Sequence, residues 1–237
     1  MPIIPAIPIE RISENAFHEL DYQVMRYAFD VHNELGRFCD EKIYQNALRE
    51  KCMAAGLEAA TEFEVKLTHK EYSKSFFIDL LINKGTVYEL KTAKRILEDF
   101  RSQTLDYLFM THTRHGKLVN FRPRSVEHEF VSTTLGDKDR HAFSILDANW
   151  KETSKIGSKI KTLSIDLLSD WGAFLNTTIY QEAIYHFLGG EEALIQPVEI
   201  AHNNNVLGHQ KIPIVNKSET FCLTSATKEI NHLQAHL

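Results

Sequence analysis

Asp79, Glu89 and Lys91 are the residues whose types and spacing could do chemistry together. They lie in FFIDLLINKGTVYELK, residues 76–91, where two apolar runs flank Asn83-Lys84-Gly85. A three-residue loop there makes a β-hairpin, its glycine free to take the left-handed conformation. A hairpin centred on Lys84 sets Asp79 opposite Glu89, and side-chain alternation puts Lys91 on the same face as Glu89. Opposed Cβ atoms are about 4.5–5.5 Å apart, where like charges destabilise unless something positive separates them. A divalent cation would do that. Magnesium takes carboxylate oxygens and keeps several waters and phosphate oxygens, and Lys91 would aim its ammonium at the same point. The Glu-x-Lys pattern alone says little, because Glu64-Val65-Lys66 repeats it. The apolar flanks make the difference: both strands read as interior, where an isolated charge is costly.

The elements that must position these residues follow from periodicity. Phe17, Leu20, Val24, Ala28, Val31 and Leu35 recur at three-and-four spacing, which predicts a helix stopped by Gly36. A second helix is expected from Asp40 to Ala55, with Glu41 in its first turn, Ile43, Ala47 and Leu48 inward, and Gly56 after its end. TEFEVKLTH, residues 61–69, alternates as a half-buried outer strand should. Beyond the hairpin, a helix is expected over 96–111 and strands over 117–121 and 126–132. The order helix, helix, three strands, helix, two strands predicts an α/β fold with a central mixed sheet flanked by helices.

Composition narrows the class. With 237 residues, 43% of them hydrophobic and 25% charged, the chain has the makings of a folded globular protein. The formal net charge of −5 supplies no general pull toward nucleic acid, so such binding would need a local basic surface. Lys94, Arg95, Arg101, Arg114, Lys117, Arg122 and Arg124 follow the hairpin and could supply one, although such runs are commonly solvated faces. Cys39, Cys52 and Cys222 are too few and scattered for a disulfide framework or zinc site, which points to packing roles in a reducing cytoplasm. The opening MPIIPAIPIER reads as an extended arm over 1–13 and not as a signal peptide. No stretch approaches the roughly 20 apolar residues needed to span a bilayer. No glycine-rich phosphate loop supports an ATPase.

The triad resembles the signature of the PD-(D/E)XK nuclease superfamily, with Ile78 where the signature proline would stand. VHNELGRFCDEKIYQNAL, residues 31–48, is similar to the opening helices of its GxxExxY branch: Glu41 and Tyr44 match, while Phe38 occupies the glycine position. Gln103 and Tyr107 match the Q-x-x-x-Y of RecB-like nucleases, a spacing that puts both on one helix face. The resemblance covers residues 24 to about 133. It implies phosphodiester hydrolysis with magnesium, or manganese, held by Asp79 and Glu89 and completed by Glu41, with Lys91 orienting or deprotonating water. Gln103 and Tyr107 would position the nucleic-acid backbone or the lysine. The implied partner is nucleic acid, DNA rather than RNA. A catalytically silent nucleic-acid-binding or assembly module with the same fold is the alternative. His32 reads as a hydrogen-bonded structural residue.

The carboxy-terminal third echoes the first half. GAFLNTTIYQEAI, residues 172–184, aligns without gaps on GRFCDEKIYQNAL, residues 36–48. With a three-residue shift, His202 falls on His69, Asn216-Lys217 on Asn83-Lys84, Leu223 on Leu90 and Ala226 on Ala93. Thr177, Ile212, Cys222 and Thr224 then stand where Glu41, Asp79, Glu89 and Lys91 do, so every ligand is gone. Consistent order points to duplication. The division expected is an arm, a nuclease-like domain over 14–135, a polar linker over 136–150 and a C-terminal domain over 151–237. That last domain reads as a degenerate, truncated repeat in a pseudo-dimer, or as an unrelated extension of a chain that could also form homodimers.

Overall fold

The computed structural model describes residues 2–203, 205–217 and 219–225. They form two compact units, one of residues 2–145 with 168–175 and one of 146–167 with the described residues between 176 and 225.

The first unit opens with strand β1 (Ile3–Pro5) and helices α1 (Glu14–Leu35) and α2 (Glu41–Ala54). Ser13 caps α1, its Oγ accepting from the Ala16 amide at 3.3 Å. Gly36 ends it with φ +72° and donates to the His32 carbonyl at 2.9 Å. In α2 the buried stripe is Tyr44, Leu48 and Cys52, spaced by four, and not the expected stripe through Ile43, which points to solvent. The bulkier Tyr44 takes the inward position and rotates the helix by one residue.

Next come β2 (Ala59–His69), β3 (Tyr72–Ile82), β4 (Thr86–Lys91), α3 (Glu98–Thr111), β5 (His115–Asn120), β6 (Glu127–Ser132) and the short α4 (Asp137–His141). The six strands form one sheet in sequence order, antiparallel throughout except for the parallel β4–β5 pair that α3 bridges. The sheet is therefore mixed. β2 is not its edge, because the amino-terminal arm adds β1 beside it, Ile3 opposite Leu67. In the β3–β4 loop the left-handed residues are Asn83 (φ +48°) and Lys84 (φ +56°), not Gly85. Gly85 is needed for room: a Cβ there would come within 2.1 Å of the Glu10 carbonyl oxygen.

The central strands are covered on both sides. Leu80, Ile82, Tyr88, Leu90, Val119 and Phe121 pack with Val24, Ala28, Val31, Tyr44 and Leu48 from α1 and α2. On the other face α3 approaches so closely at Gly116 that a Cβ would meet Leu108 at 3.0 Å. Each fully buried large aliphatic side chain in such a core stabilises it by about 1.5–3 kcal/mol. Two of the basic residues considered for phosphate contacts are committed elsewhere. Lys117 is buried against Asp21 at 2.7 Å, and Arg101 pairs with Glu98 and Glu129, each at 2.6 Å. The segment read as a polar linker begins with α4, whose buried Arg140 donates to the Phe109 and Ala173 carbonyls at 3.1 and 2.9 Å.

Helix α5 (Lys155–Trp171) follows, and its last four residues group with the first unit. The second unit holds the rest of α5, then α6 (Thr177–Phe187), α7 (Glu191–Leu194), β7 (Ile195–His202), β8 (Asn205–Asn216) and β9 (Glu219–Thr220). Asn176 caps α6, its Oδ1 accepting from the Thr178 amide at 3.1 Å. β7, β8 and β9 form an antiparallel meander, with Ile200, Val206 and Leu207 exposed. Cys222 is exposed too, so it has no packing role, whereas Cys52 is buried. Ala226, part of the internal alignment, lies outside the described residues. Among the described residues no helix is long and apolar enough to cross a membrane.

Candidate active site

Asp79 stands where the sheet opens. β3 pairs with β2 along its length but with β4 only over Leu80–Ile82, so the β3–β4 ladder stops at Leu80 opposite Tyr88, one step short of Asp79 and Glu89. The Asp79 side chain replaces the missing ladder bond: its Oδ2 accepts from the Leu90 amide at 2.7 Å. On the β2 side, Thr61 pairs with Leu80 and Phe63 with Ile78, and Glu62 between them has a left-handed backbone (φ +50°). Gln45, buried on α2, spans this break. Its Nε2 donates to the Asp79 carbonyl at 2.7 Å and to Glu62 Oε1 at 3.0 Å.

Glu89 and Lys91 lie on the sheet face shared with Leu118 and Asn120, their partners in β5. Glu89 is only 1% exposed. The Lys91 ammonium forms an ion pair with Glu89 Oε1 and lies 3.9 Å from Asp79 Oδ2. Glu89 Oε2 is buried without a hydrogen-bond partner among the described residues. Burial, then the charge of Asp79, pushes the Glu89 carboxyl up to about 8, against the pull of Lys91. Burial also raises Asp79, opposed by the Leu90 amide and Lys91. For Lys91, burial disfavours the charge, but Glu89, Asp79 and Glu41 outweigh it and hold the amine above its usual range. The ammonium form is thus the resting state.

Glu41 reaches the site from the start of α2, where its Oε2 accepts from the Thr92 amide at 3.1 Å, one residue past Lys91. Burial raises its carboxyl; the charge of Lys91 pulls it back, and the like charge of Asp79 adds to the rise. Tyr44 fixes the loop in front of it: the hydroxyl donates to the Gly36 carbonyl at 2.8 Å and accepts from the Cys39 amide at 3.1 Å. Its ring stacks on Phe121 at 4.5 Å. Asn120, fully buried, holds the chain beyond β4 by exchanging two bonds with Ala93, at 3.0 and 2.8 Å.

Gln103 and Tyr107 are joined to each other and not to the acids. Gln103 Nε2 donates to the Tyr107 hydroxyl at 3.0 Å, which donates to the Phe77 carbonyl at 2.9 Å. Burial raises the Tyr107 hydroxyl, with the charge of Glu89 adding to it. From α3 it is Phe100 that comes near Lys91, its ring centre 5.5 Å from the ammonium. His32 Nε2 is bonded to the Pro123 carbonyl at 3.1 Å. Sequence reasoning passed over Gln45 and Asn120. For Gln45 the signal was present, since it stands one helical turn after Glu41 on the same face. For Asn120 it was only a polar residue closing an apolar strand.

No group of three or more His, Cys, Asp or Glu side chains among the described residues closes on a common point suited to a metal ion. Asp79 and Glu89 do fit magnesium, which is usually held by one or two carboxylates, the remaining positions going to water and phosphate. The unpartnered Glu89 Oε2 is the acceptor such a cation would satisfy. Residues 18–132 match the family model of the PD-(D/E)XK nuclease superfamily. The helix-flanked mixed sheet fits a core of the PD-(D/E)XK type, a superfamily that suggests nuclease activity. No curated protein and no solved structure matches the chain.

Proposed function

We propose that residues 14–135 form a metal-dependent nuclease that hydrolyses phosphodiester bonds in nucleic acid, DNA rather than RNA, and acts in the cytoplasm. The observation that carries this reading is the meeting of Asp79, Glu89 and Lys91 in a gap of the sheet, with one Glu89 oxygen buried and unpartnered. Asp79 and Glu89 would hold magnesium or manganese, with Glu41 beside them joining through water. The metal would supply Lewis acidity that activates water and offsets charge on the phosphate. Lys91, held as an ammonium by its acidic neighbours, orients the attacking water or a phosphate oxygen by donating to it. Gln45 and Asn120 keep the two strand ends in place. Gln103 braces Tyr107, which in turn braces β3 at Phe77.

Similarity of the α1–α2 segment to GxxExxY proteins, and of α3 to RecB-like nucleases, adds to this reading. Cleavage of plasmid and single-stranded DNA with magnesium or manganese tests it, comparing wild type with Asp79→Ala and Lys91→Ala. Loss of cutting in both variants is expected. Equal nicking by all three proteins would remove the nuclease and leave a silent binding module.

For the second unit we infer a degenerate, truncated repeat. Gly172 ends α5 with φ +74° as Gly36 ends α1 with φ +72°, and α6 starts at Thr177 where alignment with Glu41 puts it. The hairpin pairs His202–Asn205 and Ile214–Thr220 correspond to His69–Tyr72 and Leu81–Val87 under one constant offset. Asn203 and Lys70 share φ +50° at the matching turns. The register matches at the β7–β8 turn and is shifted by one residue over Ile195–Ile200, beyond the bulge at Ile200 and Ala201.

A further inference from the structure

Phe38 is 73% exposed, although it sits in an ordered loop directly before the acids. The Tyr44 hydroxyl bonds the loop on either side of it, at Gly36 and Cys39, so the ring is held outward and not merely left loose. Two guanidinium groups attend it: Arg37 at 4.8 Å from the ring centre and Arg122 at 5.9 Å. Arg122 is tied to the site itself, since its Nε donates to the Thr92 carbonyl at 3.3 Å and the Thr92 amide donates to Glu41. An exposed phenylalanine gains nothing in water. With guanidinium groups over its ring and most of its surface still exposed, it offers an apolar surface beside positive charge, which is the chemistry that takes a nucleobase and its adjoining phosphates.

We propose that Phe38, with Arg37 and Arg122, is a stacking platform for an unpaired base beside the site, which narrows the substrate to single-stranded or frayed nucleic acid. Bases in an intact duplex are stacked on one another, so a ring on the protein reaches a base face only where pairing is broken. The arginines meet phosphates that the chain's overall negative charge would otherwise repel. The placement next to the scissile position rests on the nuclease reading, but base binding does not.

The test is binding measured by fluorescence anisotropy, in a Lys91→Ala background so that nothing is cut. The probes are labelled oligodeoxythymidine, the matching oligouridine and a blunt DNA duplex. Stacking contributes about 1–3 kcal/mol per base, so Phe38→Ala should weaken single-strand binding by about 5- to 150-fold. The duplex should change less than about twofold, and Phe38→Trp should retain single-strand affinity, because its ring stacks equally well. The two single strands separate a DNA from an RNA substrate. Unchanged single-strand affinity in Phe38→Ala, equal losses on single strand and duplex, or no single-strand binding at all would overturn the platform. A Phe38-dependent preference in a protein whose wild type never cuts would keep the platform and remove the nuclease.

Discussion

The first helix–helix–hairpin segment, residues 14–91, and the second, residues 155–220, share an order of elements but differ in how their strands are completed. In the first, β4 runs six residues, pairs with β5 and is buried under α3. In the second, β9 stops after two residues and the strands stay largely exposed. Glu89 shows what that difference does. Enclosure between β5 and α3 is what raises its carboxyl, and a glutamate on an uncovered strand would be an ordinary solvated acid. The positions aligned with Asp79 and Glu89 hold Ile212, half-buried on β8, and Cys222, exposed beyond the end of β9. The proposed hydrolysis therefore depends on completing the sheet as much as on retaining the acids.

The comparison breaks most sharply through the triad. Asp79→Ala or Lys91→Ala should each lower phosphodiester cleavage by about 10²–10⁴-fold, read as initial rates on a labelled oligonucleotide. Circular dichroism should show the fold intact.

Glu89 offers a stability test of the same enclosure. Its folded carboxyl titrates at about 8 against an ordinary 4.5, so between these values the folded chain keeps a proton that the unfolded chain releases. Its contribution to stability is full below pH 4.5 and is lost as pH rises to about 8, without added metal. Glu89→Gln should flatten that slope. Urea unfolding between pH 5 and 8.5 in chelator measures it. A slope that persists in the variant would assign the pH dependence to another group.

A smaller effect should come from the clamp in front of Glu41. Tyr44→Phe keeps the stack on Phe121 but loses two hydrogen bonds, at a cost of about 1–2 kcal/mol in urea midpoint measurements. Cleavage should fall severalfold through Glu41. The smallest change belongs to the second unit: Thr177→Ala, at the position aligned with Glu41, should leave the cleavage rate within about twofold, since a surface helix start tolerates alanine. A large loss there would give the second unit a part in the chemistry.

Much of the first unit was legible because its signals are local. The spacing of Val24, Ala28 and Val31 announced α1, and the apolar runs around Asn83-Lys84-Gly85 announced the hairpin and its register. Where the reading missed, distant contacts were responsible. Gly85 is required by the Glu10 carbonyl, β2 is covered by an arm some 60 residues earlier in the chain, and Lys117 is taken by Asp21.

By itself, the sequence determined which side chains could meet across one turn, since alternation and loop length fix a hairpin's facing pairs. It also determined the order of elements in both segments. Only the tertiary structure decided that Asp79 fills a gap where β3 leaves β4, that Glu89 loses water on all sides, and that Gln45 and Asn120 hold the site open. Desolvation is a sum over neighbours from every packed element, and no local stretch of sequence contains that sum.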